Sequence, residues 1–115
     1  MTTCFNDYGR VKLFGYKHSP QSKIYEGRFE LVDRGDQLEI WALGVMQEHQ
    51  HKGYATQMLM EFLSQFPLNK PLFLYVLKAN EIAIHLYEKV GFTIIGDFGN
   101  AAYTMQYNAE RRQIK

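Results

Sequence analysis

Cysteine is almost missing from this chain: Cys4 is the only one in 115 residues. No intrachain disulfide can form, which suits a reducing compartment, and one Cys near a terminus makes no site by itself. An excess of one charge is missing too. Thirteen Lys and Arg stand against 12 Asp and Glu, for a formal net charge of +1. A general attraction to nucleic acid or to an anionic membrane is therefore not expected. No apolar run approaches the ~20 residues of a membrane span. The N-terminus lacks the basic-then-apolar pattern of a secretory signal. Internal repeats, low-complexity stretches and linkers are absent as well. Together these absences describe a cytoplasmic protein with one domain over residues 1–107, followed by a basic tail over 108–115.

What the chain does have is large side chains: eight Tyr, eight Phe and one Trp. Hydrophobic residues make up 46% and charged residues 22%, which excludes a disordered chain. Bulky aromatics let a small domain fill its core.

The apolar pattern changes period along the chain. Val11 to Tyr16 reads as a strand, and His18 to Ser22 has turn chemistry. Tyr25, Gly27, Phe29 and Leu31 alternate with Glu26, Arg28 and Glu30, as in a half-buried strand. A turn at Asp33–Asp36 leads to a strand over Leu38 to Val45, so these two strands form a hairpin. Ala55, Met58, Leu59, Phe62 and Phe66 then fall at helical spacing, starting near Lys52 or Gly53 and stopping before Pro67. Leu72 to Leu77 is nearly all apolar, as a strand buried on both faces is. Ala83, Leu86, Tyr87 and Val90 give a second helix ended by Gly91. Phe92 to Phe98 and Ala102 to Tyr107 close the domain as strands. The expected fold is α/β (α+β), with a single mixed, mostly antiparallel sheet and two main helices. Strands 38–45 and 72–77 form its central parallel pair, joined by a right-handed crossover.

The loop between strand 38–45 and the first helix carries the clearest chemistry. It holds His49, Gln50, His51, Lys52 and Gly53 and opens onto a helix N-terminus. The first turn of a helix leaves backbone N–H groups without partners, and the dipole favours an anion there. Gly53 has no Cβ, so a phosphate can approach the backbone, and Ala55 is small for the same reason. The other reading is a Gly that only eases the turn. A P-loop is excluded, because the second upstream Gly and the Lys-Ser/Thr pair are missing.

Gln50-x-x-Gly53-x-Ala55, after a strand ending Leu43-Gly44-Val45, resembles the acetyl-CoA motif of the GNAT (Gcn5-related N-acetyltransferase) superfamily. A second motif of that family follows as Val76-x-x-x-Asn80-x-x-Ala83-x-x-Leu86-Tyr87-Glu88-Lys89-x-Gly91-Phe92. The resemblance covers residues 38–107. It implies an N-acetyltransferase that moves an acetyl group from acetyl-CoA to a primary amine by direct transfer. The acceptor would be a small molecule or a peptide, and no metal is required.

Position by position, the resemblance implies that backbone N–H groups around His51, Lys52, Gly53, Tyr54, Ala55 and Thr56 hold the pyrophosphate. Gln50 belongs to the same turn. Gly44 and Val45 would pair with the pantetheine arm as an added strand does, and the Val45 N–H would polarise the thioester carbonyl. Asn80 would hydrogen-bond the arm, although Asn is also a favoured N-cap. Tyr87 is the candidate general acid, protonating the departing thiolate, because a phenol of pKa ~10 keeps its proton at neutral pH. Its alternative is a core Tyr on an apolar helix face. Glu39 is the candidate general base, six residues before Val45, on a face expected to be shared with Trp41 and Leu43. Its alternative is a solvent-facing strand charge.

The histidines carry less. His49 and His51 lack a third partner for a metal site and read as solvated groups near phosphate. His18 reads as a surface turn residue. Family members usually place two helices ahead of the hairpin, and about 36 residues leave little room for them. The acceptor side is therefore shortened, and a homodimer is expected to help close it. A non-catalytic acyl-CoA-binding sensor or interaction domain is the second reading of the same motifs.

Overall fold

The computed structural model describes residues 1–109; the end of the expected basic tail, 110–115, lies outside the described residues. Seven strands form one sheet: β1 (Thr2–Asp7), β2 (Val11–Tyr16), β3 (Gly27–Asp33), β4 (Leu38–Val45), β5 (Leu72–Leu77), β6 (Phe92–Phe98) and β7 (Ala102–Tyr107). Their spatial order is β1-β2-β3-β4-β5-β7-β6. Every neighbouring pair is antiparallel except β4–β5, which is parallel. Helix α1 (Tyr54–Gln65) links β4 to β5, and α2 (Glu81–Val90) links β5 to β6. This is the mixed sheet with a central parallel pair that the apolar pattern predicts.

Strand β1 is not legible in the sequence. Thr-Thr-Cys-Phe-Asn-Asp shows no apolar alternation, and at the sheet edge only Thr2 is buried. An edge strand needs little apolar surface, so its pattern is weak. The turn from β1 to β2 spans only residues 8–10, closed by Tyr8 N–H donating to Val11 O at 2.9 Å. Among the described residues no α-helix precedes Tyr54, as the short N-terminal segment predicts.

Both helices cover the same face of the sheet. Leu59 and Phe62 of α1 share one core cluster with Ile84 and Val90 of α2, and Phe29, Ile40, Leu74 and Met105 complete it from the strands. Alternation sends Arg28, Glu30, Glu39, Phe73 and Tyr75 to the other face, which carries no helix among the described residues. Among the described residues no helix is long and apolar enough to cross a membrane.

The helix ends follow their residues. Gly53 caps α1 at φ +77°, and Gly91 ends α2 at φ +115°, left-handed values that glycine adopts without a Cβ penalty. The α1 helix begins at Tyr54, one or two residues after the expected start at Lys52 or Gly53, because Gly53 is spent on this turn.

Two details of β4 set the space around the start of α1. It pairs with β5 only from Leu38 to Ile40, opposite Leu72 to Leu74. Beyond Ile40 it stays with β3 as far as Val45, while β5 stays with β7. The central pair therefore opens like a wedge. A bulge also interrupts β4: Arg28 faces Gly44 and Glu30 faces Trp41, leaving an extra residue on β4, and Ala42 sits at φ +55°.

Candidate active site

The opened edge of β4, the loop after it and α2 enclose a cavity of about 270 Å³. Leu43 and Val45 form one wall, Ile82 and Leu86 of α2 another, and His49 to His51 with Gly53 to Thr56 supply the rest. The loop is held to the strand by Gln50, whose Nε2 donates to Val45 O at 3.1 Å. His51 and Gly53 both take positive φ, at +67° and +77°. Left-handed residues on either side of Lys52 curve the backbone into a concavity of the kind that binds anions. A non-glycine residue at positive φ is also a mark of functional sites.

Helix α1 strengthens this concavity. It has no side-chain cap and no acid in its first turn, so its leading N–H groups and dipole remain available. A Cβ added at Gly53 would meet nothing within 4 Å, so the space beside the backbone is open. His49 adds a second signal: its Nδ1 is buried without a hydrogen-bond partner. Its ring lies 6.1 Å from that of Tyr54, so it is packed in the cavity wall rather than solvated. The cavity thus has an apolar trough along β4 and a polar, anion-ready end at α1. An acyl thioester on a long arm with a pyrophosphate has the same two parts.

Not every sequence-predicted residue lines this cavity. Val45, Gln50, His51, Gly53, Tyr54, Ala55 and Thr56 do. Lys52 is exposed beside it. Gly44 borders a groove on the other face of β4. Asn80 caps α2, its Oδ1 accepting from Ala83 N–H at 3.1 Å. Tyr87 follows the wall residue Leu86 and packs toward the core, its ring 6.1 Å from Phe92. Burial pushes its hydroxyl pKa up, so it is protonated at neutral pH.

Glu39 lies deeper, where β4 is still paired with β5. It is 5% exposed. Its Oε1 accepts from Trp41 Nε1 at 2.7 Å and Arg34 Nε at 3.0 Å; its Oε2 accepts from Gln37 Nε2 at 2.8 Å and the Tyr75 hydroxyl at 2.9 Å. Burial by itself would raise its carboxyl pKa. The hydrogen bonds from Trp41, Arg34, Tyr75 and Gln37 outweigh burial and hold it below the usual carboxylate range. Burial and the adjacent carboxylate push the Tyr75 hydroxyl up in turn.

The expected face of Glu39 needs correction. It shares a face with Trp41 but not with Leu43, which packs against the helix-side core. The bulge at Ala42 inserts one residue and inverts the alternation beyond it. Simple counting along the strand does not detect that shift.

Sequence reasoning also passes over Glu26 and gives His18 no more than a turn. Glu26 is 3% exposed, and its carboxylate accepts from the His18 backbone N–H at 2.9 Å and contacts His18 Nδ1 at 2.8 Å. The His18 ring stacks on Tyr54 at 5.4 Å, so the pair braces the cavity wall at the start of α1. An acid at a strand start looks like any solvated charge, so no sequence signal marks it.

A family model for the acetyltransferase (GNAT) family matches residues 15–92, more than half of the chain. The chain belongs to the GNAT family. It is therefore an acyltransferase of a family that uses acetyl-CoA. A single-site variant of the spermidine N-acetyltransferase SpeG from Vibrio cholerae superposes with a TM-score of 0.74 at 25% identity. That match covers 90% of this chain and 69% of the other. The PaiA N-acetyltransferase from Thermoplasma acidophilum, solved with coenzyme A, has a TM-score of 0.68 at 22% identity, covering 85% of this chain and 60% of that one. An acetyltransferase from Thermus thermophilus gives 0.72 at 18%, covering 86% and 64%. No curated protein matches the chain. Among the described residues no cluster of His, Cys, Asp or Glu could hold a metal ion.

Proposed function

We propose that this GNAT protein transfers an acetyl group from acetyl-CoA to a primary amine without a covalent enzyme intermediate. The observation that carries the reading is the cavity between the opened edge of β4, the uncapped start of α1 and α2, with Tyr87 on that same helix. When bound, acetyl-CoA would supply an acetyl group activated as a thioester. The backbone from His51 to Thr56 would hold its pyrophosphate. Val45, on the open edge, would offer backbone groups to the pantetheine arm and an N–H to the thioester carbonyl. Tyr87 would give its hydroxyl proton to the leaving sulfur as the C–S bond breaks. Glu39, ionised and fixed by four donors, would draw the amine's proton through an intervening water rather than by direct contact.

The helix-free face of the sheet supports a homodimer in which a second copy completes the acceptor wall. A monomeric mass by light scattering across micromolar concentrations would sink that part. One observation favours a second reading, an acyl-CoA-binding module without turnover: β1 and β2 are joined by a three-residue turn where family members usually carry two helices. An amine-panel assay with a thiol-release readout separates the two readings. Transfer to any peptide, polyamine or small amine supports the enzyme; binding of acetyl-CoA with no transfer supports the module.

A further inference from the structure

The bulge at Ala42 has grooves on both sides of it, on the face opposite the helices. One, of about 150 Å³, is bordered by Phe5, Leu13 and Glu30. The other, of about 170 Å³, is bordered by Tyr25, Gly44 and Val45. Arg28 and Ala42 line both. The β3 register puts Arg28 directly across from Gly44, and Glu30 across from Trp41. These grooves therefore adjoin the β4 backbone on the side away from the cofactor cavity, where an acceptor has room to approach.

Arg28 is exposed, and among the described residues its guanidinium makes no hydrogen bond or ion pair. The Glu30 carboxylate is equally without a partner there. The two stand on one face two residues apart, ~7 Å along the strand, and do not pair with each other. The groove edge is aromatic and tightly packed. Phe5 stacks on Tyr25 at 4.7 Å, and Tyr25 lies so close over Gly15 that an added Cβ would sit 2.4 Å from its ring. Lys17 places its ammonium 4.9 Å from the centre of the Tyr25 ring. Glu26 also borders the second groove, but its carboxylate is engaged by His18.

We infer that the acceptor is an amine that also bears a carboxylate, an amino-acid-type zwitterion whose carboxylate is held by Arg28. The inference rests on the amine-transfer reading above and names its substrate class. A guanidinium fork matches a carboxylate in bidentate geometry. Glu30 draws the ammonium end toward the bulge, and the Phe5–Tyr25 pair offers a flat surface for an apolar or aromatic side chain. A polyamine carries only positive charge and would meet Arg28 and Lys17 with one free carboxylate, Glu30, to receive it.

The test compares L-phenylalanine and L-leucine with phenethylamine and isopentylamine, which lack only the carboxylate, and with spermidine. Wild type should favour each amino acid over its matched amine by at least about tenfold in kcat/KM. Arg28→Gln should bring that ratio close to one by raising KM for the amino acid, and Arg28→Lys should restore part of it. The variant comparison removes any effect of the lower basicity of an amino acid's amine. Both substitutions fall at an exposed strand position, so melting temperatures should stay at the wild-type value, and Arg28→Lys remains informative if Arg28→Gln does not fold. A preference for spermidine or for the matched amines, or an unchanged ratio in Arg28→Gln, would overturn the inference alone. Wild type that binds acetyl-CoA and acetylates none of these amines would overturn the transfer reading and this inference with it.

Discussion

Trp41 reaches back along its own strand to donate its indole N–H to Glu39 at 2.7 Å. That bond is possible because the bulge begins only at the next residue, so positions 39 and 41 still share a face. It makes Glu39 an ionised hub, with Arg34, Gln37 and Tyr75 as its other donors.

Glu39→Gln tests this hub. The amide would turn one acceptor oxygen into a donor facing other donors, inside a buried site. The loss should be about 2 kcal/mol at neutral pH, as for an unsatisfied buried group. The folded carboxyl titrates below its ordinary value of 4.5. Its contribution is therefore complete above that value and fades as pH falls through the folded pKa. Urea unfolding at pH 7 and at pH 3 should show the gap between wild type and variant narrowing in acid. An equal gap at both values would refute the ionised hub.

Tyr87→Phe removes a hydroxyl and little packing. Acetyl-CoA affinity should stay within about twofold, while transfer slows by roughly 10²- to 10⁴-fold, the span of general acid catalysis. Calorimetry and single-turnover thiol release measure the two separately. Wild-type rates in the variant would return Tyr87 to the role of a core aromatic.

Gly53→Val places a β-branched side chain at φ +77° and fills the open space beside the first turn of α1. Roughly 1–2 kcal/mol of strain is expected from the left-handed backbone alone. Acetyl-CoA binding should be lost in a protein that still folds. Gly53→Ala should show a smaller loss with the same sign, and unchanged affinity in both would refute the loop assignment.

Glu26 predicts an acid-sensitive brace. Burial opposes its ionisation, yet the His18 N–H, the Ser22 hydroxyl and the His18 ring lower its pKa from 4.5 to about 2. A depressed carboxyl stabilises the fold above its unfolded value and loses that effect as pH drops toward 2. Glu26→Gln should therefore unfold at higher pH than wild type in an acid titration followed by circular dichroism.

The elements with strong periodicity are legible residue by residue: β4, β5, β6 and β7 all match their apolar runs. The turn Gln50-x-x-Gly53-x-Ala55 is legible through its resemblance to a family motif, because a Gly at a helix start is by itself a weak signal. Three features are not. Strand β1 hides because an edge position asks little of its side chains. The face of Leu43 escapes counting because a bulge changes parity without a Gly or Pro to mark it: Ala42 is an ordinary residue in an unusual conformation. The partners of Glu26 and Glu39 come from segments that only the folded chain brings together.

The tight β1–β2 turn has a use beyond this protein's own chemistry. Its ends are already held by the Tyr8–Val11 hydrogen bond, and Tyr8 points into solvent. A loop inserted there begins and finishes a few ångströms apart, and closing it costs only ~0.6 kcal/mol for each doubling of its length. The same backbone could thus receive a helical hairpin, a tag or a whole reporter domain at residues 8–10. A designer could add a wall beside the helix-free face there without touching the residues proposed to hold the cofactor.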